Sequence, residues 1–215
     1  MREATNGKEP GAQQFFPAKI SIRSLCNAAR ECEGCSLFKN ATQTVFGAGR
    51  ASSYVVLVGE QPGNEEDREG KPFVGPAGRI LDEAMELAGI DRTQSYVTNV
   101  VKHFKWVPRG KKRIHDKPSA REIAACLPWL KKEIEVIKPK VLVCLGATAA
   151  QTLLGRHFKV SVERGRLVET AWAPHAVATI HPSAILRQRT SEERRQEKDR
   201  FIADLKVVAG LLKQK

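Results

Sequence analysis

Cys32 and Cys35 are separated by two residues, a spacing that lets two thiolates reach one metal ion or cluster. The alternative is a pair of unrelated thiols. Further ligands are available in Cys126, on an expected helix, and His103, at the end of an expected strand, as well as in Cys26 and Cys144. Cys144 stands inside the apolar run "VLVCLG" and reads as a small core residue. Cys26 has no partner at ligand spacing and reads as a packed thiol.

Acid–base and recognition chemistry gathers elsewhere. Glu60 directly follows "VVLVG" in a Gly-Pro turn, where backbone amides can approach a ligand. His181 ends an apolar run before Pro182-Ser183, as a functional imidazole or as a satisfied core histidine. Phe73, flanked by turn residues in "GKPFVG", could stack on a base or plug the core. Asn99 is polar in an apolar strand, and its amide could read the edge of a base or satisfy a loop. In "RGKKRIH", residues 109–115, four of the six residues before His115 are cationic. Attraction to a polyanion explains the Lys and Arg but not His115.

The whole composition agrees with such a partner. Thirty-six Lys plus Arg oppose 24 Asp plus Glu, giving a net charge of +12 and a pI near 9.7, which favours nucleic acid. No run of eighteen apolar residues is present, and the start "MREATNGKEPGAQQFF" lacks the apolar stretch of a signal peptide. A cytoplasmic protein with no membrane association is expected, and five cysteines there do not suggest a disulfide framework.

The elements that must position these residues follow from periodicity. Residues 1–18 are polar with Gly and Pro and read as a flexible N-terminal arm, leaving 19–215 as a single domain. Apolar runs at 53–59, 95–101, "KVLVCLG" and "AVATIHP" predict four strands. Helices are predicted from about Ile20 to Cys32, from about Pro76 to Ala88 closed by Gly89, from Ser119 through "REIAACLPWLKKEIEVI" with a kink or break at Pro128, over "ATAAQTLLG", and over roughly 191–213. Loops are predicted over "EQPGNEEDREGKPFVGP" and from Lys102 to Lys117. Strands alternating with helices indicate an α/β fold, a three-layer α/β/α sandwich around a central, mainly parallel four-stranded sheet. Ligands bind such sheets at the carboxyl ends of the strands, and here those ends carry "GEQPG", "TNVVKH" and "IHPS".

With these motifs in view, "GEQPGNEEDREGKPFVGPAG", "TNVVKH", "AACLPWL", "LGATAA" and "HPSAILR" resemble, in the same order, those of the iron–sulfur uracil-DNA glycosylases. The basic insert ending in His and "VKHF" is similar to the UdgX branch, whose members bond covalently to DNA at the uracil site. The resemblance implies a [4Fe–4S] cluster held by Cys32, Cys35, His103 and Cys126, His103 replacing the usual third cysteine. It implies that Phe73 stacks on uracil, that Asn99 bonds its polar edge, and that Gln61 and Asp67 lie around the pocket. Glu60 and His181 match the two catalytic motifs, and Asn64 receives no role.

On this reading the partner is uracil-containing DNA, single strands preferred because an unpaired base costs least to extrude, and the protein is expected to act as a monomer. Glycosidic cleavage puts positive charge on the sugar and negative charge on uracil, and groups aimed at those charges lower the barrier. His181 would donate to a uracil oxygen while Glu60 stabilises the sugar. Lys111, Lys112 and Arg113 would bring the loop to phosphates, and His115 would attack the anomeric carbon in place of water. Two rivals are a conventional turnover enzyme of the same family and a non-catalytic nucleic-acid-binding module with a structural cluster.

Overall fold

The computed structural model describes residues 9–213. Four apolar runs form the parallel strands of one sheet. β1 (Val55–Gly59), β2 (Ser95–Asn99) and β5 (Val141–Leu145) are buried throughout, as is the second half of β7 (Ala173–Thr179). Both faces of these strands are covered, so alternate side chains enter different cores. Val56, Val58, Tyr96, Leu142, Cys144 and Ala176 pack towards α1 (Ile22–Ala29), α4 (Ala120–Ile137) and α5 (Ala147–Leu154). Val55, Leu57, Val97, Val141, Val143 and Val177 pack towards α3 (Pro76–Ala88), α7 (Pro182–Leu186) and α8 (Ser191–Lys213). The result is the expected α/β/α sandwich, with Cys144 in its core.

The sheet has five strands, not four. In the order β2-β1-β5-β7-β6, the fifth, β6 (Leu167–Thr170), runs antiparallel along β7 at the edge. It alternates exposed and half-buried residues over four positions, so it shows no continuous apolar run. The basic segment is also structured. β3 (Trp106–Arg109) and β4 (Lys112–His115) pair antiparallel as a separate hairpin, with Gly110 taking φ 58° at the turn. Pro108 and a dense run of cations hide its alternation in the sequence.

The other differences are local. The long loop after β1 contains α2 (Asn64–Glu69), whose Glu66 carboxylate accepts from the Gly63 and Gly75 amides. A short helix, α6 (Val160–Glu163), precedes β6. α1 starts later than predicted because Ser21 caps it in a reciprocal bond with Ser24, and it ends earlier, at Ala29. α4 runs unbroken through Pro128, its start fixed by a capping box between Ser119 and Glu122. Of the segment read as an arm, residues 1–8 lie outside the described residues. Residues 9–18 are packed: Ala12 is buried and the Phe16 ring meets Trp129 edge-on at 4.9 Å.

One buried ion pair fixes the turn after β2. Lys102 and Glu133 are both inaccessible to solvent, with Nζ 2.5 Å from Oε2. Lys102 Nζ also donates to Thr98 Oγ1 (2.6 Å) and to the Asn99 carbonyl (2.8 Å). Glu133 Oε1 accepts from Tyr96 (2.8 Å), Thr98 (3.0 Å) and the Gly47 amide (3.2 Å). The pair therefore clamps the end of β2 to α4. Lys102→Met leaves the carboxylate buried without its cation and should lower unfolding free energy by about 3–5 kcal/mol, read from urea transitions. A loss below about 1 kcal/mol would contradict a role for this clamp.

Candidate active site

Sheet register assembles the site. Gly59 pairs with Asn99, Val58 with Cys144 and Leu145 with Thr179, so the strands end level. Strand order reverses between β1 and β5, which opens a crevice at their carboxyl ends. Glu60 leaves β1 at this crevice, and Thr148 at the start of α5 donates to its Oε2 across the gap. Thr148 was not singled out in the sequence. No local pattern marks it, because the partner is 88 residues away.

His181 is the N-cap of α7. Its Nδ1 lies 3.2 Å from the Ser183 amide, which can only donate, so Nδ1 accepts. In the neutral ring the proton is then on Nε2. Burial lowers the His181 pKa to about 4, with Arg187 and His115 adding to the effect, and the neutral ring dominates at pH 7. The Phe73 ring lies nearly parallel to His181, 27° between planes and 6.1 Å between centroids. Phe73 is buried and holds φ 58°, an unusual backbone for a side-chain-bearing residue. It is not an exposed loop ring. Asn99 Oδ1 is buried with no hydrogen-bond partner among the described residues. A Cβ at Gly59 would stand 2.8 Å from the Phe73 ring, so glycine lets ring and strand meet.

The hairpin closes the crevice from the side. Gln61 is buried beneath it: its Nε2 donates to the Asp116 (2.9 Å) and Lys105 (3.2 Å) carbonyls, and its Oε1 accepts from the Lys105 amide. The same Nε2 stands 2.8 Å from His115 Nε2, which is 3.5 Å from Glu60 Oε1. His115 is half-exposed and leans on Phe104. Lys111 and Lys112 are exposed near the turn.

Two expected placements change. Arg113 does not face solvent phosphates. It turns inward between the Phe104 and Trp106 rings, donates to Asn64 Oδ1 and pairs with Asp67 at 2.6 Å. Asp67 is fully buried and occupied by Arg113, the Thr42 amide and the Thr42 hydroxyl. Both residues are hairpin anchors, and Asn64, given no role from sequence, is a third.

A match to the uracil DNA glycosylase superfamily spans residues 46–206 and so takes in the sheet, the crevice and the hairpin. The chain belongs to the uracil-DNA glycosylase superfamily. It is 39% identical to the type-4 uracil-DNA glycosylase of Thermotoga maritima over 77% of this chain and 83% of that protein. The type-4 enzyme of Archaeoglobus fulgidus is 33% identical over 90% and 96%, and that of Pyrobaculum aerophilum 35% over 79% and 86%.

For this superfamily member the implied cluster ligands can be tested on local chemistry. Cys32, Cys35 and Cys126 are buried in one core, and His103 is buried with Nε2 2.9 Å from Thr44 Oγ1. No three His, Cys, Asp or Glu among the described residues are close enough to share one metal ion, but a cluster spreads its ligands over a wider shell. Two N–H groups point at sulfur: Trp129 Nε1 at Cys32 and the Lys102 amide at Cys126, each 3.2 Å away. Such donors stabilise ligating thiolates. Without a cation, burial pushes the Cys35 thiol up to about 11 and Cys126 up to about 12. The donor set therefore fits a cluster.

The His181 geometry carries a pH signature. Its pKa falls from 6.5 to about 4 on folding, so between these values the unfolded chain binds a proton that the folded chain refuses. Stability from this residue is present at pH 7 and lost as pH drops through that window. In thermal melts, His181→Gln should flatten the decline from pH 6.5 to 4. Parallel wild-type and variant curves would contradict the assignment.

Proposed function

We propose that the chain excises uracil from DNA. One observation carries the reading: Asn99 Oδ1, without a partner among the described residues, and the edge of the Phe73 ring meet at Gly59, and the Phe73 ring in turn faces His181. Uracil offers the complement, a flat face, an imide N–H for Asn99 and a carbonyl oxygen for the His181 Nε2–H. Superfamily membership and the type-4 relatives support the same reaction. A base must leave the stack to be cut, and unpaired strands make this easiest. As the glycosidic bond breaks, His181 donates to the oxygen gaining negative charge and the Glu60 carboxylate faces the cationic sugar. Water, oriented by Glu60, then adds to the anomeric carbon and gives a proton to the Glu60 carboxylate, and uracil and abasic DNA depart. Lys111 and Lys112 attract phosphates, and Arg113 and Asp67 hold the hairpin. Cys32, Cys35, Cys126 and His103 would hold a [4Fe–4S] cluster, which would tie the N-terminal segment to α4 away from the bond being cut.

The three relatives described above are named as type-4 glycosylases, which favours this conventional, turnover reading. A second reading, the UdgX type, is favoured by one contact: His115 Nε2 lies 3.5 Å from Glu60 Oε1. There the His115 imidazole forms a nitrogen–carbon bond to the sugar as the uracil–sugar bond breaks, and Glu60 takes the imidazole proton. Imidazole is a poor leaving group at neutral pH, so the protein would stay attached.

A uracil-containing single-stranded oligonucleotide separates the two readings. Several free abasic products per protein support turnover, whereas one boiling-resistant adduct that His115→Ser abolishes supports capture. Neither product would remove the glycosylase reading. As purified, the protein should be brown with broad absorbance near 400 nm, on the order expected for iron–sulfur chemistry. A colourless zinc protein would overturn the cluster.

A further inference from the structure

The hairpin has two faces, and the proposed chemistry uses one. Trp106, Arg113 and His115 point inward, onto the Asn40 carbonyl, Asp67 and Gln61 respectively. Strand alternation sends the intervening residues the other way. Val107 pairs across the hairpin with Ile114, and Arg109 with Lys112. Val107 is 48% exposed and Ile114 38%, which makes a small apolar step flanked by two cations. Arg109, Lys111 and Lys112 have no ion-pair partner among the described residues. No acidic residue occurs between Arg92 and His115.

We infer that this outward face is a landing surface for the unpaired DNA strand beside the extruded nucleotide, with Val107 and Ile114 against a neighbouring base or sugar and Arg109 and Lys112 on phosphates. The proposal rests on the reading of the chain as acting on uracil-DNA. Three features select this occupant. The charge is complementary to phosphate. The face is continuous with the crevice, since Lys112 is three residues from His115, about 10 Å along an extended strand. The apolar step needs a base whose face or sugar is open to it, and a duplex stacks its bases against one another. Strand type would thus be sensed before uracil is.

The test separates this surface from the chemistry by using DNA without uracil. Anisotropy titrations of the purified protein with a labelled thymidine oligonucleotide and with a duplex of equal length give both affinities. Val107→Ser/Ile114→Ser should weaken single-strand binding about five- to tenfold, with duplex affinity nearly constant. Ile114→Trp, which adds a stacking ring, should tighten single-strand binding. Arg109→Gln/Lys112→Gln should reduce the single-strand salt slope by about 1.4, at roughly 0.7 per phosphate. Equal losses on both DNA forms, or unchanged single-strand affinity in both apolar variants, would overturn the proposal. Wild-type protein showing the strand contrast but no uracil excision would sink the functional reading and leave the surface standing.

Discussion

A two-stranded hairpin is marginal in water, and this one, with four-residue strands and several like charges near its tip, has every reason to unravel. It is held because a buried carboxylate needs it. Asp67 is the buried residue of α2, and apart from Arg113 its carboxylate accepts only from the amide and hydroxyl of Thr42 among the described residues. Withdrawing the hairpin would leave that charge buried without a cation, at a cost of several kcal/mol. Gln61 adds a second tie by bonding both ends of the hairpin through one amide group. His115 is thereby fixed beside Glu60 rather than carried on a loose loop.

The polar groups of the interior fall into two kinds, and the difference separates scaffold from site. Around Lys102 and Glu133 the ammonium has three partners and the carboxylate is surrounded by donors. Such a closed network favours one packing and offers nothing to a ligand. At the ends of β1 and β2 the arrangement is open. Asn99 Oδ1 has no partner among the described residues, and His181 Nε2 carries a proton with its other nitrogen already engaged. The two kinds meet at Asn99, whose carbonyl is held by Lys102 while its side chain remains unpaired. Asn99 and His103 therefore flank one rigid turn, held at Lys102.

The sandwich is legible from local pattern. Buried parallel strands need continuous apolar runs, and "VVLVG", "SYVTNVV" and "KVLVCLG" supply them. The Gly and Pro around Glu60 and His181 placed both residues at strand ends, where such sheets bind ligands. Both ends of the Pro76–Ala88 helix are legible because Pro starts it and Gly89 ends it. The family resemblance was legible for a similar reason, since its motifs are short and contiguous.

The direction in which charged side chains face emerges only once the chain is folded. Arg113 and Lys112 are neighbours of like charge in the sequence, yet one is an inward anchor and the other an outward cation. Their difference comes from strand alternation in a hairpin that Pro108 and the charge run concealed. Asp67, Thr148 and Glu133 likewise bond partners 25 to 88 residues away. β6 stayed hidden because an edge strand needs an apolar face only where it meets its neighbour. Local pattern encodes which residues are buried in a strand or helix, whereas a polar contact depends on two distant segments meeting, and folding alone brings them together.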